Sequence, residues 1–164
     1  MTDIVNQSER SRIMAAIKSN DTKPEMLVRR YLHRRGFRYG LHNKKLPGSP
    51  DIVLRRYKTI IFIHGCFWHG HEDCKLYKLP SSNVEFWQSK IERNRARDER
   101  VQSELRDKGW RVITIWECEL KTKLKREQTF HRLLCMLNGA YFCSNIQMEE
   151  TNLAAEPESP YKSV

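Results

Sequence analysis

The residues best suited to chemistry are concentrated between positions 59 and 77. An apolar run passes there into a loop that holds three of the six histidines and two of the five cysteines of the chain. These residues are His64, Cys66, His69, His71 and Cys74. Imidazole and thiolate groups bind metal ions, and imidazole also transfers protons near neutral pH. The stretch therefore predicts a metal site together with a hydrolytic centre.

The spacing Cys66-x4-His71-x2-Cys74 lets one short loop wrap around a tetrahedral ion. A closed site needs a fourth ligand, and Cys118 follows a strand that we predict over residues 110–116. An odd number of cysteines argues against a complete disulfide framework. The alternative is a set of ordinary buried thiols. A loop this rich in Cys and His has few other ways to stay ordered, so we predict structural Zn²⁺ at these four residues.

Asp51 follows a proline at the start of a predicted strand, and a second strand is predicted over residues 59–63. If the two strands pair across a tight connection, Asp51 lies opposite Ile63, within about two residues, and beside His64. A carboxylate there could bind a divalent ion that polarises a phosphate and lowers the pKa of a bound water. The pattern is weak alone, because many such nucleases carry an acidic residue and a lysine on the second strand. The alternative is an aspartate at a turn.

A long helix is predicted after the loop, from a capping box of Ser82 and Glu85 to about Asp107. Its inner, mostly apolar stripe includes Asn94 and Asp98. Because a buried carboxylate needs a partner, a histidine or a cation is expected beside Asp98.

His64 and His69 have the side chain used for general acid–base catalysis. The alternative for each is a zinc ligand or a core residue with satisfied hydrogen bonds. Their expected closeness to Asp51 and Asp98 favours catalysis. Glu25 keeps two interpretations, as the residue that completes the capping box of an N-terminal helix or as an outer group around a metal.

Two large aromatic residues, Phe67 and Trp68, lie in the predicted zinc loop, and Trp87 comes early in the long helix. Core packing is the plain interpretation. Beside a basic surface, rings held outward by a stiff loop could instead insert between base pairs. A mispaired step is easier to open, so such a wedge favours mismatched DNA.

The composition indicates one basic domain. The chain has 164 residues, a net charge of +10 and no apolar run of membrane-spanning length, so we expect a soluble, cytoplasmic protein. Nucleic acid is the expected partner, and a merely basic soluble protein is the alternative. We predict an arm with a short helix at 1–20, the main domain at 21–143 and a disordered acidic tail at 144–164. Met14 and Ile17 on the arm could pack on the body or reach a ligand.

Six segments resemble the very-short-patch-repair (Vsr) DNA mismatch endonucleases. They are RSRIMAAI, DTKPE, LPGSPDIV, IFIHGCFWHGHEDC, FWQSKIERNRARD and GWRVITIWECEL, within which HGCFWH is highly specific. The resemblance implies a restriction-endonuclease-like α/β domain with a central mixed sheet flanked by helices. It implies a monomer that acts on double-stranded DNA, with mismatch-repair proteins as candidate further partners. It also implies Mg²⁺-dependent nicking 5′ to the T of T:G mismatches that arise by deamination of 5-methylcytosine.

The resemblance further implies a role for each site residue. Asp51 and the backbone carbonyl of Ile63 would bind Mg²⁺, and His69 would activate water. The supporting groups would be His64, Asp98 and Glu25. The zinc ligands would be Cys66, His71, Cys74 and Cys118. The residues inserted from the major groove would be Phe67, Trp68 and Trp87, with Met14 and Ile17 approaching from the other side.

Two departures from the family pattern bear on these roles. Ile63 stands where the family has a threonine. A role as a backbone-carbonyl ligand survives this change, whereas a role that needs the threonine hydroxyl would not. The loop from His69 to Cys74 differs in length, which leaves open whether His71 or His69 binds zinc. Two rival functions also stay open, a nuclease that cuts paired DNA of fixed sequence and a zinc module that binds mismatched DNA without cutting it.

Overall fold

The computed structural model describes Arg12 and residues 20–138. The predicted N-terminal helix with Met14 and Ile17 and the predicted tail at 144–164 lie outside the described residues. Along the described part of the chain, one helix is followed by three strands, a second helix, a fourth strand and a third helix. In order they are α1 (Lys23–Arg34), β1 (Gly40–Leu41), β2 (Ile52–Leu54), β3 (Thr59–His64), α2 (Val84–Asp107), β4 (Arg111–Trp116) and α3 (Lys123–Asn138). Two short 3₁₀ turns, Arg55–Tyr57 and Glu117–Leu120, follow β2 and β4.

The four strands form one sheet in the order β1-β2-β3-β4. The pairs β1–β2 and β2–β3 are antiparallel, whereas β3 and β4 are parallel and are connected through α2. The prediction of a mixed sheet flanked by helices is therefore confirmed. No helix within the described part of the chain has the length and apolar character needed to cross a bilayer.

Strand β3 is the centre of the core, and all six of its residues are buried. Because successive side chains of a strand point to opposite faces, its isoleucines serve two layers. Ile61 and Ile63 pack with residues of α1 and α3, while Ile60 and Phe62 pack with Leu105 of α2. Each fully buried side chain of this size contributes about 1.5–3 kcal/mol of hydrophobic stabilisation. The apolar run therefore predicted correctly a strand covered on both faces.

The register of β2 against β3 brings Asp51 to the end of β3. Leu54 pairs with Thr59 and Ile52 with Ile61, across a turn in which Lys58 adopts a left-handed conformation with φ of 49°. The Oδ2 atom of Asp51 accepts a hydrogen bond of 2.8 Å from the backbone N–H of Ile63. The predicted neighbourhood of Asp51 and Ile63 is confirmed.

The parallel pairing of β3 and β4 determines where the site forms. His64 and Trp116, the last residues of the two strands, pair with each other. The loop after His64 and the turn that contains Cys118 therefore leave the sheet at one edge. Strand β2 runs in the opposite direction and begins at this same edge, directly after Asp51.

Helices α1 and α2 both begin close to the predicted positions, but their first turns are stabilised differently. Thr22 caps α1, since its hydroxyl accepts a hydrogen bond from the Glu25 N–H. The predicted capping box of Ser82 and Glu85 is wrong, because α2 begins after Asn83 in a left-handed conformation (φ 53°) with no side-chain cap. Asparagine tolerates that conformation, so the chain enters the helix through Asn83 instead.

Candidate active site

An open cleft of about 850 Å³ lies at the edge of the sheet where β3 and β4 end. All five side chains predicted to be catalytic line it. They are Glu25, Asp51, His64, His69 and Asp98, together with Ile63. The structure therefore brings together residues that are as far apart in the sequence as α1 and α2.

Asp51 occupies the part of the cleft nearest to α1. Burial raises the pKa of its carboxyl group, the hydrogen bond from Ile63 opposes this, and the nearby negative charge of Glu25 raises the pKa further. A carboxylate that is partly desolvated and close to a second carboxylate gains from a cation between or beside them. The electrostatic character of this corner fits a divalent-metal ligand.

His69 and Asp98 form a hydrogen-bonded pair that lines the same cleft. The Nδ1–H of His69 donates to Oδ2 of Asp98 at 2.5 Å. The second ring nitrogen, Nε2, takes no part in this bond. Burial would raise the pKa of Asp98, but its hydrogen bond and charge interaction with His69 hold the pKa below the ordinary value. The predicted need of Asp98 for a histidine or a cation is met by His69.

The ring of His64 stacks on that of His69, with centroids 3.8 Å apart and planes inclined by 9°. Burial, followed by the neighbouring His69, lowers the pKa of His64 to about 4. His64 is therefore neutral at physiological pH. Its ring therefore stacks on that of His69 without adding a positive charge beside it.

The loop that carries His69 is fixed at several points. The His69 N–H donates to the Gly65 carbonyl (3.2 Å) and the His71 N–H to the Cys66 carbonyl (2.9 Å). From α2, the amide of Asn94 donates to the backbone carbonyl of Trp68 at 2.9 Å. Asn94 and Asp98 lie one helical turn apart on α2, so both polar residues of its inner face hold this loop.

Four sulfur and nitrogen donors converge behind the loop. They belong to Cys66, His71, Cys74 and Cys118, and one donor atom of each lies within 4.8 Å of all the others. The Nδ1 atom of His71 is 3.5 Å from Sγ of Cys66 and 3.4 Å from Sγ of Cys118. The three thiols are not in disulfides. Donors bonded tetrahedrally to one zinc at about 2.0–2.3 Å lie roughly 3.5–3.8 Å apart, so this donor set fits zinc with little movement.

The protonation of these thiols also bears on metal binding. Burial raises the pKa of Cys66 to about 12 and also raises that of Cys118. Without a cation both would remain protonated, whereas a bound metal ion favours the thiolate. The structure places His71 beside the thiols and His69 beside Asp98. His71 is therefore the histidine of the Cys/His cluster, a point that the loop length had left open.

An aromatic cluster borders the cleft. Phe67, Trp68 and Trp87 contact one another edge to face, with centroid distances of 5.1 to 6.0 Å. These rings are half-buried rather than fully outward. Phe86, 55% exposed, contacts Trp87, and the Lys90 ammonium lies 5.5 to 5.7 Å from the centroids of Trp68, Phe86 and Trp87.

Sequence reasoning missed several residues of this region. Phe86 and Lys90 lie off the apolar stripe of α2, although their position beside Trp87 was a usable signal. Arg29 and His42 surround Glu25. The i,i+4 spacing of Glu25 and Arg29 pointed to the first contact, but His42 reaches them only through the fold.

Comparison with known proteins adds an independent finding. A family model described as DNA mismatch endonuclease Vsr matches residues 2–76. The chain is 38% identical over 157 residues to the DNA mismatch endonuclease Vsr of Escherichia coli, a match that covers 94% of this chain and 100% of that protein. It is 49% identical over 140 residues to the type II nicking enzyme V.NmeAIP of Neisseria meningitidis, covering 85% and 99% respectively.

Among solved structures, the catalytic domain of the homing endonuclease I-Bth0305I aligns with 71% of this chain and 94% of its own, with a TM-score of 0.45 and 23% identity. The sequence relatives define the class of protein as a DNA endonuclease, a hydrolase whose substrate is DNA. More closely, the chain belongs to the Vsr family of DNA mismatch endonucleases.

Proposed function

We propose that this endonuclease nicks one strand of DNA, 5′ to the T of T:G mismatches formed by deamination of 5-methylcytosine, and that it requires Mg²⁺. The observation that carries the proposal is that Asp51 and the hydrogen-bonded His69–Asp98 pair line one and the same cleft. The names of the relatives support it, since one is called a mismatch endonuclease and another a nicking enzyme.

In this proposal, Asp51 and the backbone carbonyl of Ile63 hold Mg²⁺, with Glu25 as an outer group. The donor set fits a hard cation, because all these groups are oxygens, and because burial and the charge of Glu25 raise the pKa of Asp51, effects that a bound cation would offset. When bound, Mg²⁺ stabilises negative charge on the phosphate and lowers the pKa of a coordinated water.

His69 acts as the general base. Its Nε2 accepts a proton from the attacking water while the water oxygen bonds to phosphorus, the P–O ester bond to the leaving strand end breaks, and the departing oxygen takes up a proton from solvent. Asp98 accepts the Nδ1–H bond throughout, which fixes the tautomer and stabilises the imidazolium. His64 remains neutral and supports the ring of His69 by stacking.

The cluster of Cys66, His71, Cys74 and Cys118 binds structural Zn²⁺ in this proposal. The support is the mutual distance of the four donors and the absence of disulfides among them. A closed four-ligand site of this type stiffens the loop between its ligands. That loop carries both His69 and two rings of the aromatic cluster.

The aromatic residues Phe67, Trp68 and Trp87 insert beside the mismatch from the major groove, and Met14 and Ile17 approach from the other side. Edge-to-face contacts hold the three rings in a rigid group. Stacking on a base is worth about 1–3 kcal/mol, and opening a base step costs a few kcal/mol. The balance therefore favours insertion where mispairing has already weakened the step.

The wider setting of the protein is part of the same proposal. We assign the chain a restriction-endonuclease-like fold, a monomeric state and a place in the bacterial cytosol, with mismatch-repair proteins as candidate partners. Its net charge of +10 supports phosphate contacts, so affinity for DNA should fall as salt rises.

Strand-resolved cleavage of a T:G and a T:A duplex that are otherwise identical in sequence, with and without Mg²⁺, tests the proposal. We expect a nick in the T strand of the T:G duplex alone, and only with Mg²⁺. Asp51→Asn should abolish it, while Asp107→Asn, an exposed aspartate at the far end of α2, should not. Equal cutting of T:A DNA would favour a restriction-type nuclease. The name of the type II nicking relative supports this rival function. Binding without cutting would favour a mismatch-binding module.

A further inference from the structure

Arg29 is a buried cation next to the cleft, with only 5% of its surface exposed. It lies one helical turn after Glu25 on α1. Its Nη2 donates to Oε2 of Glu25 at 3.0 Å, and its Nη1 donates to the carboxylate of Asp21. The same Nη2 lies 2.6 Å from Nε2 of His42. Because a guanidinium has no acceptor, Nε2 of His42 must accept this bond.

The acceptors around Arg29 resemble the ligands of a metal ion. Asp21, Glu25 and His42 each offer one donor atom, and these three atoms all lie within 4.8 Å of one another. The guanidinium contacts all three of these groups, so it already provides the positive charge there. Arg29 is therefore the cation of this group of side chains, which lies next to the part of the cleft that contains Asp51.

Arg29 and its partners connect Glu25 to Asp51 through the fold. Both oxygens of Glu25 are held, Oε1 by the Thr22 hydroxyl at 3.0 Å and Oε2 by the Asp21 N–H at 3.0 Å as well as by Arg29. The backbone N–H of His42 donates to the carbonyl of Asp51 at 3.4 Å. The carboxylate from α1 and the aspartate at the start of β2 thus share one hydrogen-bonded network.

We propose that Arg29, oriented by His42, is a positioning residue for the divalent-metal site: it holds the Glu25 carboxylate in place beside Asp51. This inference rests on the proposed function, in which Asp51 binds the metal. Two other roles make different predictions. If Arg29 acted mainly by its charge, its loss would strengthen metal binding. If it served stability alone, its loss would leave metal affinity unchanged.

Mn²⁺ binding to the full-length protein without DNA, followed by electron paramagnetic resonance, separates these roles. The site of interest is the one lost in Asp51→Asn. We expect Arg29→Met to weaken Mn²⁺ binding there about tenfold or more, as is usual when a group that orients a metal ligand is removed. Arg30→Met, which removes an exposed arginine from the next position of α1, is the matched control and should bind Mn²⁺ like the wild type.

His42 supplies the second pair of variants. His42→Leu removes the acceptor and should weaken Mn²⁺ binding in the same direction, whereas His42→Gln, whose amide oxygen can still accept from Arg29, should restore most of it. This pair carries the test if Arg29→Met does not fold, because the His42 side chain is already 26% exposed.

The outcomes are distinguishable. Unchanged or tighter Mn²⁺ binding in Arg29→Met, or equal affinities of His42→Leu and His42→Gln, would overturn the positioning role while leaving the proposed function intact. A wild-type protein with no Asp51-dependent Mn²⁺ binding would overturn the metal role of Asp51 and this inference with it.

Discussion

Replacement of Asp98 gives the sharpest test of the His69–Asp98 pair. The two side chains are 20% and 16% exposed and are joined by a hydrogen bond of 2.5 Å. Asp98→Ala removes the acceptor and its charge. Asp98→Asn keeps an acceptor of nearly the same shape but removes the charge. If Asp98 stabilises the imidazolium formed when His69 takes up a proton, the two variants should slow the chemical step by different amounts.

The size of each effect follows from the hydrogen bond. A bond to a charged group contributes about 1.5–3 kcal/mol, and 1.36 kcal/mol corresponds to a factor of ten in rate. Asp98→Ala should therefore slow nicking about 10- to 150-fold. A neutral bond is roughly half as strong as a charge-assisted one, so Asp98→Asn should slow nicking about 3- to 12-fold.

Single-turnover nicking of a T:G duplex with saturating enzyme measures this step without a contribution from binding. Glu99→Gln and Glu99→Ala are the controls, since Glu99 is an exposed acid at the next position of α2. An Asp98→Ala enzyme that nicks at the wild-type rate would refute the base role of His69 as argued. Equally reduced rates for the Ala and Asn variants would show that a neutral acceptor contributes nothing, which would refute the predicted difference between the two variants.

Three further predictions concern stability and metal content. The hydrogen bond and charge interaction with His69 lower the pKa of Asp98 below 3.8. Asp98 therefore stabilises the fold above that pH and loses this contribution as pH falls through its folded pKa. In Asp98→Asn, the free energy of unfolding should consequently fall less steeply as the pH is lowered. Cys118→Ala should reduce bound zinc, measured by mass spectrometry, from about one per chain to near zero and lower the melting temperature. A wild-type protein purified without zinc would contradict the site. Gly70→Ala should destabilise by about 1–3 kcal/mol and clearly more than Gly36→Ala in urea unfolding. Both glycines have positive φ, but a Cβ at Gly70 would lie 2.6 Å from the Ile91 side chain, whereas nothing lies within 4 Å at Gly36.

Local patterns were enough to predict the elements around the site. The apolar run of β3 and the short connection before it determine the register that brings Asp51 to the Ile63 N–H. Helical periodicity placed Asn94 and Asp98 on the face of α2 that meets the loop. These predictions succeeded because each depends on residues close together in the sequence, where the periods of a strand and a helix leave few alternatives.

The predictions that failed or were missing depend on contacts that local patterns do not contain. The start of α2 follows from a left-handed Asn83 instead of the Ser82 cap. The network of Arg29 and His42 joins α1 to the connection after β1, and only the folded sheet brings them together. The i,i+4 spacing predicts the contact of Glu25 with Arg29, but it gives no indication of the contact of Arg29 with His42.

The loop between β3 and α2 couples the two halves of the site physically. His69 and His71 are only two residues apart, yet one ring is held by Asp98 and the other lies among the thiols, stacked on Trp116 with centroids 4.0 Å apart. The same Trp116 contacts the edge of His64 at 5.3 Å. Trp116 therefore contacts both His71 of the Cys/His cluster and His64 of the stacked pair. If zinc holds His71, its removal should slow nicking by displacing His69, without zinc taking part in the reaction.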